Sequence, residues 1–181
     1  MRNSITNTLP TLALACATLF ATSCAEVEAD VPEAQVTQKA VTFQGTGWSN
    51  GHGEASTMQF FTLSSTNLAW MKDLNSKVYV TEIDLAAVAG VQDLNFIHYA
   101  HVSISDASAK VPPVEIATYM RPDNMAPTAV LKVKTAYPID ISKVWTAKKM
   151  LVGVAVAGDL PEKSWSVDVT LHLSGKISYK L

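Results

Sequence analysis

The clearest pattern in the chain lies near its end, where Trp165, Val167, Val169, Leu171 and Leu173 alternate with Ser166, Asp168, Thr170, His172 and Ser174. Successive side chains of a strand point to opposite faces, so this alternation predicts one apolar and one wet face. Such a strand belongs to an antiparallel sheet with one solvated side. Stretches of similar character, rich in Val, Ile, Thr and aromatics, recur at Lys39 to Gly45, Thr57 to Leu63, Lys77 to Leu85 and Asn95 to Ser105. They continue at Val114 to Met120, Thr128 to Thr135, Lys149 to Ala157 and Trp165 to Tyr179. Turn-forming combinations stand between them: Gly51-His52-Gly53, Asp106-Ala107-Ser108, Pro122-Asp123-Asn124 and Gly158-Asp159-Leu160-Pro161.

About eight strands at this spacing predict an all-β domain, an antiparallel β-sandwich or jelly roll, with an up-and-down barrel as the alternative. Helix is predicted only as one or two short crossovers. Leu85 to Val91 is one candidate; Ile139 to Trp145 is the other, with Asp140 as its N-cap and Ile141, Val144 and Trp145 at helical spacing. No strand-helix-strand rhythm is present, which argues against a doubly wound sheet and its ready-made nucleotide site.

Charge divides the chain. Overall it carries 14 Lys and Arg against 16 Asp and Glu. Arg2 is the only charged side chain before Cys24, and Glu26, Glu28, Asp30 and Glu33 fall in Ala25 to Gln38, a segment without a base or an aromatic ring. This composition predicts a solvated acidic tether over residues 24–38, followed by one β-domain over residues 39–181. Beyond Lys39 acids and bases nearly balance, and no basic run exceeds Lys148-Lys149, so the domain has no electrostatic footprint for nucleic acid.

The first 23 residues have the order of an export signal: a basic start at Arg2, an apolar middle from Leu9 to Ala21, and small residues at the end. The middle is interrupted by Pro10 and is too short for the roughly 20 apolar residues that span a bilayer. Ala21-Thr22-Ser23-Cys24 resembles the lipobox of bacterial lipoprotein precursors, with Ala21 where leucine is usual. The resemblance implies cleavage before Cys24, attachment of a diacylglycerol group with palmitate-type acyl chains to its thiol, and anchoring in the cell envelope. Ala25, rather than aspartate, follows the cysteine, which by the same resemblance points to the outer membrane. Cys16 would leave with the signal, so Cys24 would be the only thiol of the mature chain. The alternative is a secreted or periplasmic, non-lipidated β-domain.

Candidate chemistry is sparse. Gly47-Trp48-Ser49-Asn50-Gly51 matches a G-x-S-x-G nucleophile pattern, but a polar loop and a strand follow where that pattern needs a helix. His98 and His101 form H-x-x-H, an odd spacing that puts the two imidazoles on opposite faces of an extended strand and sets His98 on one face with Phe96, Val102 and Ile104. The oxygen clusters Asp123-Asn124 and Asp159 with Glu162 are thin for a calcium site. The expectation is therefore a non-catalytic domain without cofactor or metal. Trp145 and Trp165 are predicted core residues. Trp48 and Trp70 have polar neighbours, and Trp48 flanked by Asn50, His52 and Glu54 suggests a site where an indole stacks on a sugar face while polar groups hold its hydroxyls. The functional classes left are a structural or interaction module in the envelope and a glycan- or small-ligand-binding module. Partners are correspondingly the bilayer through Cys24 and envelope proteins or glycans.

Overall fold

A computed structural model describes residues 26–47, 51–62, 75–106, 112–145 and 149–180. Eight strands account for most of them: β1 (Glu26–Phe43), β2 (Gly51–Thr62), β3 (Asn75–Ala89), β4 (Ile97–Asp106), β5 (Val114–Met120), β6 (Val130–Asp140), β7 (Lys149–Leu160) and β8 (Trp165–Lys180). They form two four-stranded sheets, ordered β1-β8-β3-β6 and β2-β7-β4-β5, with every pairing antiparallel. Consecutive strands switch sheets at every connection except that between β4 and β5, which pair directly, and this order is that of the eight-stranded jelly roll with its two Greek keys.

The alternation that predicted the strands also builds the core. Trp165, Val167, Val169, Leu171 and Leu173 of β8 are all buried, and they face Val152, Val154 and Val156 of β7 and Val102 and Ile104 of β4 within one cluster. Trp165 stacks on Phe43 with centroids 4.4 Å apart and takes the edge of Phe96 at 5.0 Å. Offset and edge-on contacts of this kind add to the area the rings bury. The helical crossover α1 (Ser142–Trp145) is a single turn; Asp140 accepts the Ser142 N–H at 2.9 Å, and Ile141 and Val144 are buried beside it. The side chain of Trp145 lies outside the described residues. The other predicted helix, Leu85 to Val91, is instead the end of β3 and a bend at Gly90.

The acidic segment is not a solvated tether. From Glu26 onward it is the greater part of β1, paired with β8 from Glu26↔Lys180 through Gln38↔Val169. Its charges are compatible with a strand because β1 is an edge and its outward positions find partners across the ladder: Glu28 meets Lys176 at 3.4 Å and Glu33 meets His172 at 2.8 Å. Ala34 and Val36 turn inward onto the core. Two other expectations shift in the same way. Gly51-His52-Gly53 and Gly158-Asp159-Leu160, read as turns, are the paired ends of β2 and β7.

Candidate functional site

Because those two turn-like sequences are strands, they bring together residues the sequence kept apart. His52 and Asp159 are direct cross-strand partners, as are Gly53 and Gly158. Residues opposite one another on an antiparallel pair have neighbouring side chains on one face. Here His52 Nδ1 lies 2.9 Å from Asp159 Oδ1.

On the other side of β7, the register with β4 slips between Ile97 and Tyr99, leaving His98 as the extra residue of a bulge. A bulge re-aims side chains, and this one breaks the strict alternation on which the H-x-x-H reading relied. Ile97 and Ala100 are both fully buried although three positions apart, while His98, Tyr99 and His101 remain accessible. His98 therefore does not share the face of Val102 and Ile104. Its Nε2 instead reaches Asp159 Oδ2 at 3.1 Å, and its ring centroid lies 6.0 Å from that of His52. One carboxylate thus bridges two imidazoles supplied by two flanking strands.

Gly158 makes this approach possible. It has φ +155°, and a Cβ placed there would lie 2.0 Å from the carbonyl oxygen of Phe96. With no side chain in the way, the strands close until Asp159 N–H donates to that same oxygen at 2.9 Å. On the far side of His98, Arg121 N–H donates to the His98 carbonyl at 2.8 Å, and the Arg121 guanidinium is fixed by the Asn95 carbonyl at 2.6 Å.

Three hollows lie at or beside the cluster, two of them lined by its histidines. One of about 380 Å³ is lined by His52, Gly53, Glu54, His98, Ala157 and Gly158. A second of about 350 Å³ continues past His98 to Arg121, Asp123 and Asn124. The third, about 420 Å³, shares Glu54 and Ala157 and runs along the outer face of the sheet, with Ala55, Ala155 and Ala157 in its lining and Tyr99, His101, Glu54 and Ser56 around it. Adjoining through shared lining residues, they form a shallow groove rich in polar groups, with Tyr99, 40% exposed, as an accessible aromatic ring. His101 faces Glu115 Oε2 at 3.3 Å across β4 and β5, without the alignment of a hydrogen bond.

Of the residues singled out in the sequence as ligand-binding, His52 is in this site, and His98, His101, Asp123, Asn124 and Asp159, weighed there only as metal ligands, join it. Cys24, Trp48, Ser49, Asn50 and Trp70 lie outside the described residues. Sequence reasoning missed Asp159, His98, Tyr99 and Arg121 as members of one site. The signal available was Gly158-Asp159 opposite His52-Gly53, legible only once both are read as strand.

A second polar cluster sits on the outer face of the opposite sheet. His172 of β8 lies 2.8 Å from Glu33 through Nδ1 and 3.0 Å from Asp84 through Nε2. Burial of the ring opposes its charge, but the hydrogen bonds and charges of Asp84 and Glu33 outweigh it and raise its pKa above the usual histidine value. Glu82 beside it is paired with Lys132 at 3.1 Å. These groups neutralise one another.

No protein-family model and no curated protein matches the chain. Solved structures similar to it include that of Desmodium yellow mottle tymovirus, at 11% identity over 99% of this chain and 97% of that one, with a TM-score of 0.38. Another is the family 32 carbohydrate-binding module of C. perfringens NanJ in complex with galactose, at 15% identity over 81% and 99% of the two chains, with a TM-score of 0.32. The BFDV capsid protein is similar at 11% identity over 84% and 99%, with a TM-score of 0.38. Likenesses this distant carry no argument about function, and the jelly roll stands on its own strand order.

Proposed function

We propose that this chain is an envelope lipoprotein, held by acylated Cys24, whose jelly roll is a non-catalytic binding module presenting its groove to envelope partners. The observation that carries the binding role is the row of adjoining hollows over β2, β7 and β4, which sets an exposed tyrosine near His52, Glu54, His101, Arg121, Asp123 and Asn124. Hollows of this size accept a small molecule or a few units of a polymer. An aromatic face with many donors and acceptors around it suits a polyhydroxylated ligand, so a glycan is the ligand class we favour, and an envelope protein surface is the second reading.

The anchor and the groove are compatible. Ala25 alone separates Cys24 from the first residue of β1, and β1 belongs to the sheet that does not carry the groove. Stable attachment requires more than one acyl chain, which lipoprotein-type modification of Cys24 would supply. The binding role is tested by probing a glycan array with the Cys24→Ser protein and its Tyr99→Ala variant. Retention by the parent and a loss of tenfold or more in the variant, at equal thermal stability, is the expected result. Absence of retention, or retention indifferent to Tyr99, would overturn the glycan reading and leave a protein surface as the partner.

A further inference from the structure

We propose that His52, His98 and Asp159 form a binding site for a divalent late transition-metal ion, zinc foremost. Two imidazole nitrogens and one carboxylate are a donor set suited to zinc, copper or nickel, and unlike the all-oxygen shells that calcium and magnesium prefer. The three donor atoms lie within 4.8 Å of one another. Donors around a tetrahedral zinc stand about 3.3 Å apart, given bonds of about 2.0–2.1 Å. The two contacts to Asp159, at 2.9 and 3.1 Å, are already near that spacing, so modest side-chain rotation closes the set.

The backbone holds these donors in place independently of any ion. Each comes from a different strand: His52 and Asp159 are paired in register, and His98 is turned toward them by the bulge. Sites built on paired strands keep their geometry better than sites on loops. Entry is open, since the His52 side chain is 81% and that of Asp159 51% exposed. Glu54 lines the same hollow two residues beyond His52 and thus on the same side of β2, within the space where a fourth donor or a water belongs. The remaining coordination position opens into the groove, so a bound ion would present a Lewis-acidic contact to whatever the groove holds.

The cluster of Glu82, Asp84 and His172 has comparable spacing but different chemistry. Both ring nitrogens of His172 are engaged by carboxylates, Glu33 and Asp84, so an ion would have to displace one of these contacts, whereas His52 and His98 each meet Asp159 through one nitrogen. It therefore serves as the internal control.

The test is calorimetric titration of zinc into tag-free, chelator-treated Cys24→Ser protein, repeated with His52→Ala, His98→Ala, Asp159→Asn and His172→Ala. Cobalt absorption in the visible reports whether imidazole and carboxylate donors surround the ion. The expected result is one zinc per chain, weakened by about tenfold or more in each of the first three variants and unchanged in His172→Ala. No saturable binding at micromolar zinc, equal binding in the first three variants, or loss confined to His172→Ala would each overturn the site.

Discussion

At the scale of single residues, two positions show how local chemistry sets behaviour. His172 is held by Glu33 and Asp84, with Gln35, Glu82, Lys132 and Lys134 also on that face. Its folded pKa lies above its unfolded value, so the stabilisation it gives is complete below about pH 6.5 and fades as pH rises through the folded pKa. Thermal melts from pH 6 upward should therefore show stability falling with pH, and His172→Gln should flatten that slope. Gly158 illustrates a steric requirement. Gly158→Ala forces a Cβ against the Phe96 carbonyl, so it should cost about 1–3 kcal/mol in denaturant unfolding. It should also separate Asp159 from His98, read as a loss of zinc affinity.

Among the elements, β1 is the most telling. Its register with β8 shifts between Gln38 and Val41, where Ala40 takes φ 52°. Asp168 secures that irregularity by accepting the Ala40 N–H at 2.9 Å and the Lys39 ammonium at 2.6 Å. Desolvation works against the carboxylate's charge, yet these two bonds hold its pKa below the usual value. Asp168→Ala should cost about 1–3 kcal/mol because a backbone donor loses its partner. Lys39→Ala should cost less than about 1 kcal/mol, since the lysine is solvent-exposed. Deleting residues 26–38 should be silent for a tether, whereas removal of most of an edge strand should lower stability by at least about 3 kcal/mol, or roughly 10 °C in Tm.

The same element marks what the sequence could reveal. All eight strands were legible wherever apolar residues recur at every second position, as in β8, and the limits of β5 are those of the predicted stretch. Most of β1 was hidden because several of its outward residues are acidic and a register shift between Val31 and Ala34 interrupts its alternation. The site was obscured for related reasons. Glycines at 51, 53 and 158 look like turns when neither partner strand is in view, although Gly158 serves close strand approach. The bulge at His98 cannot be read from spacing, because it arises from the pairing of β4 with β7.

For the whole molecule, the two sheets divide the labour proposed for the chain. The β1-β8-β3-β6 sheet begins two residues after Cys24 and carries the self-neutralised cluster around His172. The β2-β7-β4-β5 sheet carries the groove and the His52, His98 and Asp159 cluster. With no long tether between anchor and fold, acylation would hold the domain close to the bilayer surface, a placement suited to ligands within the envelope.

Intact-mass analysis of the protein recovered from membranes of a bacterial host, beside its Cys24→Ser variant, tests this account most directly. It predicts a mature chain that begins at Cys24, carries added acyl mass and moves to the soluble fraction on substitution. An unmodified chain, with both forms released alike, would contradict it.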